Sequence, residues 1–151
     1  MKSENSLDIA PQIKRNVHTT PKSILVIDDN VELLELYKTI LGMEGYHVFV
    51  ASSGRSALSL LSEIKEPDLI LLDYRMEGMS GPEFLNEFEI QMPKTFQNVP
   101  VVFLTALDGV PEGEFKVKGF IRKPMDIAEF LEKVDSYLTE DFNSGFSNVR
   151  H

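Results

Sequence analysis

Short apolar runs and longer amphipathic segments alternate five times between Ser23 and Leu138, the pattern of a parallel sheet covered by helices on both faces. The first strand is expected over Ile24 to Ile27. It feeds a helix whose apolar positions Leu33, Leu34, Leu36, Tyr37, Ile40 and Leu41 fall largely on one face, and which Gly42 or Gly45 can end. A second strand, Tyr46 to Ala51, leads through Ser52, Ser53 and Gly54 into a helix with Ala57, Leu58, Leu61 and Ile64 on its inner stripe, stopped before Pro67. Four consecutive apolar residues, Leu69 to Leu72, predict a third strand buried on both faces. The stretch from Glu77 to Gly81 reads as a loop, and Pro82 suits the first turn of a helix carrying Phe84, Leu85 and Phe88. Strand four is expected over Val101 to Leu104 and strand five over Val117 to Ile121. A last helix begins near Asp126 and turns Ile127, Phe130, Leu131, Val134 and Leu138 toward the core. Between strands four and five, the segment Asp108 to Phe115 has two glycines, a proline and no amphipathic stripe, so any helix there is very short.

Composition narrows the class. A chain of 151 residues accommodates one domain with tails: a polar, aperiodic N-terminal tail over 1–22, a folded domain over 23–139 and a C-terminal tail over 140–151. The formal charge of −9, with no Lys/Arg-rich run, argues against nucleic-acid binding through the phosphate backbone. With no cysteine there are no disulfides, thiolate metal sites or thiol catalysis. No secretory signal core and no apolar run of spanning length occurs, so the expectation is a soluble, cytoplasmic protein without membrane insertion.

The chemistry is expected where strands end. Asp28 and Asp29 close the first apolar run and Asp73 closes the third. If these strands are parallel neighbours, three carboxylates converge at one sheet edge, where their repulsion is relieved by protonation, a lysine or a metal ion. Thr105 and Lys123 follow strands four and five, and open sheets of this kind hold their functional crevice beyond the carboxyl ends of the strands. Each residue also has a plainer reading. Asp28-Asp29-Asn30 can cap the first helix, Asp73 can be a loop acid, Lys123-Pro124 can be an ordinary strand exit, and Phe120 can be core. His18, His47 and His151 lack metal-ligand spacing.

Taken in order, Ile27-Asp-Asp-Asn30, the lone Asp73, Thr105-Ala106 and Lys123-Pro124 resemble the receiver domain of two-component response regulators, over roughly Ser23 to Leu138. The spacing from Asp29 to Asp73 agrees. The resemblance implies an α/β, doubly wound, flavodoxin-like sheet of five parallel strands in the order 2-1-3-4-5. It implies Asp73 as phosphoacceptor from a sensor histidine kinase, a phosphotransfer protein or a small phosphodonor. It implies Mg²⁺ on Asp28, Asp29, Asp73 and the backbone carbonyl of Arg75, Lys123 directed at the phosphoryl oxygens, and Thr105 with Phe120 as the switch. The Lys123–Pro124 bond is cis by the same resemblance. The expected protein is a stand-alone, phosphorylation-controlled binding module, not an enzyme beyond self-phosphorylation and self-dephosphorylation, acting on an output partner that the sequence leaves open.

Three departures accompany the likeness, one being that Phe120 lacks the hydroxyl that Tyr offers at that place in some relatives, so its rotamer is expected to depend on packing alone. The segment between Thr105 and Lys123 is about one helical turn short, roughly four residues, so the fourth helix is expected to be reduced. Arg75 puts a long cation beside the phosphoacceptor, where it can shield or pair with an acyl phosphate. Two rival readings remain at this point. An interaction module could keep the fold without phosphorylation. A phosphatase passing through an aspartyl phosphate would need an Asp-x-Asp pair that Ile27-Asp-Asp-Asn30 does not supply. No Gly-rich loop follows the first strand to hold a dinucleotide.

Overall fold

The computed structural model describes residues 20–106, 114–123 and 126–139. Its elements follow the chain as β1 (Ser23–Ile27), α1 (Val31–Met43), β2 (His47–Ala51), α2 (Gly54–Leu61) and β3 (Leu69–Asp73). They continue as α3 (Gly81–Gln91), α4 (Pro93–Asn98), β4 (Val101–Thr105), β5 (Gly119–Arg122) and α5 (Ile127–Thr139). The sheet is five-stranded and parallel throughout, in the order β2-β1-β3-β4-β5, as the resemblance implied.

The two-residue period of the strands divides the core into two layers. Leu25, Ile27, Ile70, Leu72, Val101 and Phe103 face one layer, which α2 and α3 complete with Ala57, Leu58, Leu61, Phe84, Leu85 and Phe88. Ile24, Val26, Leu69, Leu71, Val102 and Leu104 face the other, under α1 and α5 with Leu34, Tyr37, Leu41, Phe130 and Val134. Strands buried on both faces need unbroken apolar runs, which is why β3 and β4 are buried along their whole length.

Helix ends follow from local chemistry. Asn30 caps α1 by accepting from the Leu33 amide at 3.1 Å. At the other end, Gly45 at φ 96° lets its amide reach the Gly42 carbonyl and the Tyr46 amide reach that of Leu41, a Schellman closure that a side chain would strain. Capping boxes start α2 at Ser53 with Ser56, and α3 at Ser80 with Glu83, where Pro82 occupies the first turn.

Several expected boundaries move. α2 ends at Leu61, so Ile64 lies outside it; the chain still coils there, with Glu63 and Ile64 amides on the Leu60 carbonyl, but no longer as a regular helix. β5 is Gly119–Arg122, two residues later at its start than expected, because its ladder opens with the Lys118 amide on the Val101 carbonyl at 2.7 Å. The short α4, which no apolar stripe in the sequence marks, has no buried residue and no side-chain cap; its Phe96 ring sits edge-on to Phe88 at 5.4 Å. Leu36, placed on the inner stripe of α1, is 45% exposed, and Ile127 of α5 is likewise exposed. The expectation of a reduced helix between β4 and β5, the cis Lys123–Pro124 bond and both tails beyond Thr20 and Thr139 lie outside the described residues.

The turn after β3 depends on Gly81. A Cβ there would stand 2.6 Å from the Asp73 carbonyl oxygen, 2.8 Å from Phe103 Cε1 and 3.0 Å from the Tyr74 Cα, and two of those neighbours are backbone that cannot swing away. Gly81→Ala is therefore expected to lower stability by about 1–3 kcal/mol, measured by urea denaturation. An unchanged midpoint would show that the turn relaxes freely.

Candidate functional site

The parallel register brings the carboxyl ends of β1, β3, β4 and β5 to one edge. Ile27 pairs with Leu72 and Asp73 with Leu104, so Asp28 and Asp73 leave adjacent strands side by side. Thr105 pairs with Arg122, which delivers Lys123 one residue later to the same place. One carboxylate oxygen from each of Asp28, Asp29 and Asp73 lies within 4.8 Å of the others. Asp28 is 1%, Thr105 4% and Asp73 7% exposed, whereas Asp29 opens to solvent.

Lys123 bridges the two buried acids. Its ammonium donates to Asp73 Oδ1 at 3.2 Å and to Asp28 Oδ2 at 3.3 Å. The other Asp28 oxygen accepts the Asn30 amide at 2.9 Å, which orders the residue that caps α1. The capping alternative for Asp28-Asp29-Asn30 is thus true of Asn30, and the two acids turn elsewhere. Asp29 Oδ2 accepts the Glu77 amide at 2.8 Å, a contact that no side-chain pattern announces. Gly78, at φ 78°, is the nearest sequence signal for that bend, because positive φ favours glycine.

Three carboxylates facing one ammonium leave two negative charges unbalanced in a partly desolvated pocket. Burial first, and then the charge of Asp28, push the Asp73 carboxyl from 3.8 up to about 6 against the pull of Lys123. Burial by itself would lower the Lys123 ammonium, but Asp28 and Asp73 outweigh it and hold its pKa above the usual lysine value. Tyr37, read from the sequence only as an apolar position of α1, lies within the field of the same groups. Burial raises its phenol, with Lys123 opposing and Asp28 and Asp73 adding to the rise. An all-oxygen donor set with an excess charge of two fits a hard divalent cation such as Mg²⁺.

Of the remaining expected residues, Thr105 is buried at the end of β4, and Arg75 is exposed in the turn after β3. Phe120 is half-buried on β5, with its ring 5.5 Å from that of Phe103. It packs against the core, as its plainer reading expects, and β4 lies between its strand and that of Asp73.

Open doubly wound sheets hold their ligand crevice beyond the carboxyl ends of the strands, which is where the buried acids and Lys123 meet. The chain belongs to the response-regulator receiver family: the family described as "Response regulator receiver domain" matches residues 24–135. It is 33% identical to the sporulation initiation phosphotransferase F of Bacillus subtilis over 121 residues, 78% of this chain and 94% of that protein. With the polar-differentiation response regulator DivK of Brucella anthropi it shares 30% over 122 residues, 78% of this chain and 97% of that one. Among solved structures, chemotaxis protein CheY4 of Vibrio cholerae matches with a TM-score of 0.70 at 25% identity, over 78% of this chain and 99% of that chain. TrrA of Thermotoga maritima, solved in complex with Mg²⁺-BeF, matches with a TM-score of 0.65 at 30% identity, over 78% and 99% respectively. Receiver domains are signalling domains that bind Mg²⁺ at an acidic pocket and interact with histidine kinases, phosphotransfer proteins and output proteins. Among the described residues no helix is long and apolar enough to cross a membrane.

The Asp73 shift generates a stability profile. Because folding raises this carboxyl's pKa, the folded state favours its protonated form. The resulting stabilisation is complete below about 3.8 and is lost as pH rises through about 6. In chelator-containing buffer, Asp73→Asn is expected to match wild type near pH 4 and to exceed it by roughly 2 kcal/mol near pH 7. Urea denaturation across that range measures the difference, and a difference independent of pH would contradict the assigned shift.

Proposed function

We propose that this chain, through a receiver domain over 23–139, accepts one phosphoryl group on Asp73 in a Mg²⁺-dependent reaction and thereby changes partner binding. The observation that supports this most is the bridge of Lys123 between Asp28 and Asp73, which assembles acids and cation from three strands at one point. In the reaction, an Asp73 carboxylate oxygen attacks the phosphorus of a phosphohistidine, or of a small phosphodonor. The bond from phosphorus to the leaving imidazole or acyl oxygen breaks, leaving an acyl phosphate on Asp73. A carboxylate is a weak nucleophile and the phosphoryl group is heavily negative, so charge neutralisation and alignment dominate the barrier.

In this reading Asp28, Asp29 and Asp73, with the Arg75 backbone carbonyl, hold the ion. Bound there, Mg²⁺ supplies the positive charge that the site's excess of carboxylates calls for. Lys123 keeps Asp73 company before reaction and turns toward the phosphoryl oxygens afterwards. Thr105, on the same strand edge, offers a hydroxyl donor to those oxygens. Its displacement changes the packing of Phe120, making a two-state element biased by one covalent group. Phosphorylation and hydrolysis of this one group, rather than turnover of a substrate pool, are the chemistry proposed. The cytoplasm, where histidine kinases present their phosphohistidine, is the compartment that fits.

Intact mass after incubation with acetyl phosphate and Mg²⁺ tests the proposal. Wild type is expected to gain one phosphoryl group, while Asp73→Asn, or omission of Mg²⁺, abolishes the gain. An adduct that survives in Asp73→Asn would overturn the assignment. The exposed Arg75 provides a second test. If its guanidinium shields or pairs with the acyl phosphate, Arg75→Ala changes the dephosphorylation half-life severalfold, followed by loss of the added mass; an unchanged half-life removes that role.

A further inference from the structure

Four aromatic rings from three segments meet in the layer under α2 and α3, and one of them, Tyr74, is next in sequence to Asp73. Phe103, wholly buried on β4, is the hub: its centroid lies 5.1 Å from that of Tyr74, 5.4 Å from Phe115 and 5.5 Å from Phe120. Tyr74 and Phe115 close the set at 5.9 Å, their planes at 76°. The positions of these rings matter as much as their contacts. Tyr74 directly follows Asp73, and its amide is tied to the Leu104 carbonyl at 2.8 Å. Phe120 is the register partner of Phe103. Phe103 and Thr105 stand two residues apart on β4 and so share a face of the sheet. The quartet therefore links the residue after the proposed phosphoacceptor to Phe120 of the proposed switch, on the sheet face that Thr105 also shares.

The hub has little room to absorb movement. Gly81 presses so close that an added Cβ would lie 2.8 Å from Phe103 Cε1, and close-packed rings transmit displacement instead of damping it. Phe115 is the member that neither follows Asp73 nor lies on a strand of the sheet. It lies before β5, outside any regular strand or helix, half-buried and packed on the same core layer.

We infer that Phe115 is a positioning residue that latches the switch: by packing on Phe103 and Tyr74 it stabilises the arrangement with Asp73 unmodified, and so sets how readily the site takes up a phosphoryl group. This rests on the receiver reading of Asp73 and Phe120. A contact made in one of two states biases the equilibrium toward that state by its own free energy, so removing the Phe115 ring shifts the population toward the other.

The test is a titration of the full chain with beryllofluoride and Mg²⁺, followed by fluorine NMR, with thermal melts in parallel. Phe115→Ala is expected to bind roughly three- to tenfold tighter than wild type, the size of one or two lost aromatic pairs. Phe115→Leu keeps apolar volume without the ring and moves the same way by less, which covers the case in which the alanine variant does not fold. Phe96→Ala removes another half-buried ring from the same layer, one paired with Phe88 instead of the hub, and should lose melting temperature with affinity unchanged. Equal affinity in wild type and folded Phe115 variants overturns the latch and leaves the receiver reading intact. Equal tightening in Phe96→Ala also overturns it, as general loosening of the core. Failure of the wild type to bind beryllofluoride overturns the phosphoacceptor reading itself, and the latch with it.

Discussion

The bridge from Lys123 to Asp28 and Asp73, at 3.3 and 3.2 Å, is the interaction on which the rest of this structure turns. Two buried carboxylates side by side repel, and burying either without a partner would be costly. The lysine offsets only part of this, since burial first and the Asp28 charge second still push Asp73 up to about 6, and Asp29 adds a third charge nearby. A site balanced in this way is poised: a divalent cation or a proton reaching these carboxylates changes the pairing of Lys123. The geometry exists only because three parallel strands end together, which makes the sheet register a functional constraint as well as a structural one.

The sheet can hold that register because its two faces are unequally furnished. Under α1 and α5 the layer is mainly aliphatic, with Tyr37 and Phe130 tilted against each other at 5.3 Å. Under α2 and α3 it is rich in rings, from Phe84 and Phe88 to the Phe103 group. Aliphatic packing secures the strands, whereas the aromatic layer runs from the end of β3 to β5 without interruption. Rings transmit orientation as well as contact, because offset and edge-on pairs are favoured over others. The layer that carries the aromatic hub is also the one that meets the turn at Gly81, directly behind Asp73. Chemistry at the sheet edge and packing in the interior are thus in contact through backbone.

Much of this was legible in the residues alone. Apolar runs buried on both faces announced β1, β3 and β4, helical stripes announced α1, α3 and α5, and the order of acids, threonine and lysine at strand ends announced both the family and the acidic cluster. Those signals are local: a strand must be apolar where both faces are covered, and a residue that ends a strand is marked by the change to polarity. What the tertiary structure decided depends on distance between segments far apart in sequence. The Glu77 amide on Asp29 spans 48 residues, and a backbone donor leaves no trace in side-chain pattern. Tyr37 reads as one more apolar position until α1 is laid against the strand ends. Leu36 looks identical to its neighbours in period, yet among the described residues it is left exposed. The start of β5 at Gly119 follows a ladder that opens with the Lys118 amide on the Val101 carbonyl, a contact between segments that periodicity does not mark. Sequence thus determined which residues could form the site and the layers, through polarity and period. Only the packed sheet decided which of them touch, because register, crossover and burial bring together groups that local pattern cannot relate.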